Sequence, residues 1–205
     1  MKVSKIAIFA SGTGTNAEKI IQHFQKEDKK HIAQVSLVLS NRMLAGVLEK
    51  AHQYQIPTCV FDRKGFYESS QITDYLQQQE IDLIVLAGFL WLLPSTLIRQ
   101  FPDKIINIHP SLLPLFGGKG MYGMYVHEAV KAAGASETGI TIHYVNENYD
   151  EGKIILQRKC TLSPEDTPED IAHKVQHLEH HYFPLMVENI LTNGANKIEE
   201  LLITI

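Results

Sequence analysis

Asn107-Ile108-His109-Pro110-Ser111-Leu112-Leu113-Pro114 sets a carboxamide and an imidazole two residues apart, behind the apolar pair Ile105-Ile106. Alternate side chains along a strand face the same way. Asn107 and His109 therefore share one face, and Ile106 and Ile108 the other. Pro110 has no N–H for a central ladder, so pairing ends there. An imidazole serves as acid or base near neutral pH, and an amide N–H can stabilise an oxyanion. The same pair also suits plain turn chemistry at a strand end. A third candidate is Asp150, in the acidic turn Asn146–Gly152 (NENYDEG). A carboxylate beside His109 would raise the imidazole pKa and orient the ring. Beside Glu147 and Glu151 it is otherwise a solvated turn acid.

Ser11-Gly12-Thr13-Gly14-Thr15-Asn16 offers a second kind of chemistry. Backbone N–H groups at a helix N-terminus bind anions, aided by the helix dipole. Gly12 and Gly14 let the backbone approach a ligand, and Thr15 and Asn16 add donors. With Ala17 the loop also fits the dinucleotide fingerprint G-x-G-x-x-A. The acid that fingerprint wants after the second strand is replaced by Ser40-Asn41-Arg42, which would suit the 2′-phosphate of NADP. A phosphate monoester and a plain tight turn stay open beside it.

Two further groups are weaker. His177 with His180, or His177 with His181, share a helix face at metal-ligand spacing, but no cysteine or HExxH pattern accompanies them, so no metal site is expected. Glu179 among them could hold polar substrate groups or be an ordinary helix acid. Met121, Tyr122, Met124 and Tyr125 could line a pocket for a flat ring or simply pack.

The elements that must position these groups alternate. Lys5–Ala10, Val35–Leu39, Thr58–Phe61, Asp82–Gly88 and Asn107–His109 read as strands. Ala17–Lys26, Ala45–Gln55, Phe66–Gln79 and Ser95–Gln100 read as helices between them. That order predicts a doubly wound parallel sheet. After a glycine-rich loop, Leu115–Gly123, and a helix, Tyr125–Ala133, two alternating runs, Glu137–Val145 and Lys153–Thr161, predict an antiparallel hairpin in the C-terminal half. Thr167-Pro168-Glu169-Asp170 starts a helix with an N-cap, an N1 proline and first-turn acids. It runs to about Leu191, with Pro184 tending to kink or split it. The tail, Lys197–Ile205, fits strand or helix.

The 205 residues suit one α/β domain with a Rossmann-like sheet, a phosphate-binding half at about 1–100 and a catalytic half at about 101–205. The net charge is -4 with pI near 6.2 and no dense basic run, which argues against a nucleic-acid partner. The longest apolar runs, such as Leu83–Phe89, are too short to span a bilayer. The N-terminus enters a strand at once, leaving no room for a signal peptide. Cys59 and Cys160 lie in strand-like runs and read as small buried hydrophobes in a reducing compartment. A cytoplasmic protein is expected.

The order of the motifs is more specific than any one of them. SGTGTN, then Ala87-Gly88-Phe89, then NIHPSLLP, then G-x-T-I-x-Y-V-x-E-x-Y-D-x-G over Gly139–Gly152, resembles the folate-dependent formyltransferases. The SGTGTN loop and compact length point to the phosphoribosylglycinamide formyltransferase members. The resemblance runs from about Lys5 to Leu191. It implies a formyl transfer from 10-formyltetrahydrofolate, as co-substrate, to the amine of glycinamide ribonucleotide in purine biosynthesis, without a metal. It implies Asn107, His109 and Asp150 as catalytic residues and Gly14, Thr15 and Asn16 as the phosphate loop. Glu179 then meets the ribose. Leu90, Trp91, Leu92 and Leu93 meet the folate pterin through their backbone, with Asn107 beside them, and Val145–Asp150 forms the opposite wall. Thr141 and His143 support from the neighbouring strand. Lys64, rather than Arg63, is the favoured basic folate contact.

The chain departs from the family where Leu90-Trp91 follows the AGF motif, and in Phe116–Gly123. There Lys119 would approach a phosphate or the folate glutamate, or be a solvated loop lysine. Small-molecule substrates and a monomer or homodimer are expected, with neither nucleic acid nor membrane as partner.

Three rival readings stay open. A formyltetrahydrofolate hydrolase would use the same Asn-His-Asp set on water, normally behind an N-terminal regulatory module. A methionyl-tRNA formyltransferase would need an RNA-binding domain beyond Leu191, where about fourteen residues remain. An NADP-binding oxidoreductase or a non-catalytic nucleotide module would explain only the first loop.

Overall fold

The computed structural model describes residues 2–193, so the tail Lys197–Ile205 lies outside the described residues. Among the described residues seven strands form one sheet: β1 (Ser4–Phe9), β2 (Ala33–Ser40), β3 (Thr58–Val60), β4 (Leu83–Leu86), β5 (Ile105–His109), β6 (Glu137–Tyr144) and β7 (Ile154–Thr161). Their order is β3-β2-β1-β4-β5-β6-β7. The first five run parallel, and β6 and β7 are antiparallel. The Rossmann-like sheet and its C-terminal hairpin are therefore both present. Strand order reverses between β1 and β4, and in such sheets the crevice at the strands' carboxyl ends binds ligands.

Among the described residues seven helices cover the two faces: α1 (Thr15–Phe24), α2 (Gly46–Gln53), α3 (Arg63–Tyr67), α4 (Gln71–Gln78), α5 (Ser95–Gln100), α6 (Met124–Ala132) and α7 (Pro168–Asn193). The strand parity sorts the core into two layers. Ile6, Ile8, Val85, Ile106 and Ile108 pack with residues of α1, α2, α6 and α7. Ala7, Phe9, Ile84, Leu86 and Ile105 pack with residues of α3, α4 and α5. Both faces are covered, which is why β1 and β4 are nearly continuous apolar runs.

Three local expectations change. The helix expected over Phe66–Gln79 is two helices, α3 and α4. Asp62 caps α3 by accepting from the Gly65 N–H at 2.7 Å. The Ser69 hydroxyl donates to the Gly65 carbonyl and that of Ser70 to the Asp74 carboxylate. Such local bonds compete with a continuous helical ladder. Conversely, α7 is not split at the buried Pro184 but runs on as one helix. Cys59 and Cys160 are half-buried rather than buried, because β3 and β7 are the two edges of the sheet.

Candidate active site

The strand parity read from NIHP brings Asn107 and His109 to the face of Ile105 at the carboxyl end of β5, where pairing with β4 ends at Asn107. Antiparallel pairing with β6 sets His143 directly opposite Asn107 and Thr141 opposite His109. Residues opposite each other share a face and touch. His143 Nδ1 donates to the Tyr144 carbonyl at 2.8 Å, which leaves Nε2 as the acceptor for the Asn107 Nδ2 at 3.1 Å. One amide hydrogen of Asn107 is thereby fixed. The other has only a long 3.4 Å reach to Asp150 Oδ1 and is the donor left for a developing oxyanion.

Asp150 arrives from the turn between β6 and β7. Gly152 makes this possible: a Cβ there would lie 1.6 Å from the Tyr144 carbonyl oxygen. Asp150 itself holds a left-handed backbone, φ 57°, which Asp and Asn tolerate better than most residues. Its Oδ2 stands 3.4 Å from His109 Nδ1 and accepts from the Gly118 N–H at 2.9 Å, while Oδ1 is 3.6 Å from His143 Nε2. Burial alone would raise this carboxyl. The adjacent His143 ring, the charge His109 carries when protonated and the Gly118 N–H outweigh it and hold the pKa below the usual carboxylate value.

His109 is 4% exposed. Its Nε2 contacts the Phe116 carbonyl at 2.8 Å, so both ring nitrogens face acceptors. The expectation that Asp150 lifts the imidazole pKa is met only in part. Burial lowers it most, Asp150 and the Phe116 carbonyl push it up, and the net shift is downward. The ring is therefore neutral at rest near pH 7.

The Ser11–Asn16 segment opens onto the same cleft. Gly14 is the left-handed N-cap of α1, at φ 75°. A Cβ there would also lie 2.6 Å from the Val47 side chain, so glycine is required on two counts. The helix begins at Thr15, two residues before its expected start. The first intrahelical bond is Glu18 N–H to Gly14 O, so the preceding N–H groups lack helical partners. Asn16 Nδ2 donates to Glu179 Oε2 at 2.9 Å, and Asn16 Oδ1 is buried without a partner. Ser11 ties this segment to its neighbours. It donates to Asn41 at 2.7 Å and accepts from the Leu90 N–H at 3.0 Å.

One cavity of about 860 Å³ joins these parts: Gly14, Thr15, Asn16, Leu90, Asn107, His109, Asp150 and Glu179 all line it. Met121, Tyr122 and Met124 line it too, whereas Tyr125 is outside and exposed. A recess of about 60 Å³ shares Asn107, Tyr149 and Asp150 with it and is walled by Trp91, Leu92, Leu93, His143 and Val145. Tyr67 donates to the Leu92 carbonyl at 2.8 Å and braces that wall. Lys64 is exposed and lines neither space. It is Arg63 that stands over the Tyr67 and Trp91 rings, at 5.1 and 5.7 Å. Arg42 lies outside both, and Asn41 is held by Ser11, which leaves the dinucleotide reading unsupported. His177, His180 and His181 form no metal-type cluster among the described residues.

Burial pushes the Glu179 carboxyl up to about 7, against the opposing Asn16 bond. The folded state thus holds this proton more tightly than the unfolded chain between pH 4.5 and about 7. Stability falls as pH rises through that window, and the whole deficit, about 3 kcal/mol, is present above it. Gln at 179 keeps an acceptor for Asn16 without the charge. Glu179→Gln should therefore raise the melting temperature by about 5–10 °C at pH 8 and leave it unchanged at pH 4. Equal melting temperatures at both values would show that the carboxyl is not held protonated.

Several cleft residues carried no individual signal in the sequence. Phe116 acts through its carbonyl, which no side-chain pattern reveals. His127 on α6 is buried beside the cavity with Nδ1 unpartnered, its pKa lowered to about 4 by burial. Gln176 also lines the cavity. It precedes Glu179 by three residues on one helix face, a spacing that could have exposed it.

A doubly wound sheet with a phosphate-type loop and an Asn-His-Asp centre in one cleft defines an α/β enzyme built for transfer at a carbonyl carbon. The chain belongs to the formyl transferase family, whose N-terminal domain model matches residues 4–187. It is 42% identical over 181 residues to the chloroplastic phosphoribosylglycinamide formyltransferase of Arabidopsis thaliana, covering 86% of this chain and 61% of that one. The Haemophilus influenzae phosphoribosylglycinamide formyltransferase is 40% identical over 202 residues, covering 97% and 92%. The crystal structure of glycinamide ribonucleotide transformylase 1 from Geobacillus kaustophilus superposes with a TM-score of 0.84 at 36% identity, covering 93% of this chain and all of that one. This chain thus spans about three-fifths of the plant relative and nearly the whole of the bacterial ones.

Proposed function

We propose that the chain transfers the formyl group of 10-formyltetrahydrofolate to the amine of glycinamide ribonucleotide. The observation that carries the reading is the meeting of Asn107, His109 and Asp150 in one cleft with Gly14–Asn16 and Glu179. A phosphate fits the α1 N-terminus, a ribose hydroxyl fits Glu179, and the reacting amine then faces Asp150. The recess walled by Trp91, Leu92 and Leu93 takes the pterin, with Leu90 on the side of the larger cavity. At about 60 Å³ the recess is smaller than the roughly 300–1,000 Å³ of ordinary ligand clefts, but it adjoins the larger cavity at Asn107, Tyr149 and Asp150. The chain is read as one domain acting in the cytoplasm on small molecules, as a monomer or homodimer. No helix among the described residues is long and apolar enough to cross a membrane.

The amine nitrogen attacks the formyl carbon, and the carbonyl π pair moves onto oxygen. The free Asn107 N–H donates to that oxyanion. His109 is neutral beforehand and gains at Nδ1, through Asp150 3.4 Å away, the proton that the attacking nitrogen loses, and it gives that proton back to Asp150 as the intermediate collapses, so its stabilisation appears mainly in the transition state. The formyl oxygen competes with the Phe116 carbonyl for the Nε2–H. Asp150 takes the proton lost by the attacking nitrogen. It returns a proton to the folate nitrogen as the old C–N bond breaks and the carbonyl reforms, giving tetrahydrofolate and the formylated amide. Phosphate and folate contacts hold the two substrates at reacting distance.

The test is formyl-folate turnover with and without glycinamide ribonucleotide. Turnover only with the amine supports the reading. Turnover without it makes the chain a hydrolase, and none in either case makes it a binding module. Within the same assay, Asn16→Ala should raise KM for the nucleotide about tenfold or more and leave the folate KM nearly unchanged. A selective loss of folate binding would contradict the assignment of the loop.

A further inference from the structure

The charge lining the nucleotide side of the cleft is unusual for a site meant to hold a phosphate. Asp150 contributes a carboxylate and Glu179 a carboxyl that ionises only at about pH 7, while Lys119 is the one lysine or arginine among the described lining residues. The α1 N-terminus supplies backbone N–H groups and about half a positive charge. That leaves most of a phosphate dianion uncompensated in a cavity whose other charge is the Asp150 carboxylate. Lys119 forms neither a hydrogen bond nor an ion pair among the described residues.

The segment that carries it is fixed rather than loose. The His109 ring is bonded to the Phe116 carbonyl, the Asp150 carboxylate to the Gly118 N–H, and the Met121 N–H closes a turn onto the Gly118 carbonyl at 3.1 Å. Lys119 is the second residue of that turn, ahead of Gly120 at φ 91°. Two residues of the reacting centre thus anchor a short turn whose tip bears the cleft's cation. Lys119 lines the cavity of Gly14–Asn16 and Glu179 but not the recess of Trp91, Leu92 and Val145. That partition favours the phosphate over the folate carboxylates.

We propose that Lys119 is a substrate-binding residue whose ammonium pairs with the phosphate of the nucleotide substrate, opposite the N–H groups of the α1 N-terminus. The inference rests on a phosphosugar being the substrate of this cleft. A charged hydrogen bond of this kind is worth roughly 10- to 100-fold in affinity, and a point charge on a flexible stem suits a phosphate.

Ribose 5-phosphate serves as the probe, titrated calorimetrically into the wild-type chain, Lys119→Gln and Lys119→Arg. Lys119→Gln should weaken binding roughly 10- to 100-fold, and Lys119→Arg should restore most of it. In turnover, Lys119→Gln should raise the nucleotide KM by a similar factor with kcat and the folate KM nearly unchanged. Equal ribose 5-phosphate affinity in wild type and Lys119→Gln overturns the proposal, as does no measurable binding by the wild type. A rise confined to the folate KM overturns it too. Lysine-dependent binding of ribose 5-phosphate by a chain that transfers no formyl group would keep this inference and remove the proposed function instead.

Discussion

Asp150→Asn should lower kcat by about 10²- to 10⁴-fold, the usual contribution of a positioned acid–base group, while both KM values stay within a few-fold. Asn is nearly isosteric and tolerates the left-handed backbone of this position, so the turn keeps its shape. Its amide oxygen can still accept from the Gly118 N–H. What is lost is the charge 3.4 Å from His109 Nδ1 and the capacity to take and return a proton. Without that charge the imidazolium of the transition state faces burial with one fewer counter-charge. A variant that keeps wild-type turnover removes Asp150 from the chemistry. A variant that loses substrate affinity but not kcat makes it a binding residue.

Asn107→Ala should cost about 10²- to 10³-fold in kcat, the usual effect of deleting one oxyanion donor. The free hydrogen of this amide is aimed by a chain of fixed bonds: Tyr144 carbonyl to His143 Nδ1, and His143 Nε2 to Asn107 Nδ2. The truncation also leaves the buried His143 Nε2 unpaired, so thermal unfolding should be followed alongside. The rate effect should exceed the stability effect, and the folded fraction at assay temperature should remain near one. A loss of rate that merely tracks unfolding would make Asn107 a structural residue.

Much of this site was legible because its signals are local. The two-residue period through Ile105–His109 gives the shared face of Asn107 and His109, and Pro110 marks the end of pairing. The glycine-rich turn announces the N-terminus of α1, and Thr167-Pro168 announces α7. The juxtaposition of Asp150 with His109 is a different matter. It depends on β6 pairing to β5 in one register and on a turn that folds back against β6 through Gly152. Neither is written in the spacing of NENYDEG, and only the resemblance to a family joined the two residues beforehand. The direction of the His109 pKa was equally out of reach, because burial is a property of the packed molecule. Arg63 and Lys64 differ by one position in α3, and helical rotation rather than residue type decides which meets Trp91. The break between α3 and α4 follows from serine hydroxyls bonding backbone and carboxylate, which an apolar period does not register.

The measurement that bears most directly on the account is a single turnover with 10-formyltetrahydrofolate carrying a labelled formyl carbon, in the presence of glycinamide ribonucleotide. The account predicts that the label moves quantitatively to the amine nitrogen of the nucleotide in the wild-type chain, and that transfer slows by the stated factors in Asp150→Asn and Asn107→Ala. Label recovered as formate, or transfer undiminished in both variants, would contradict it.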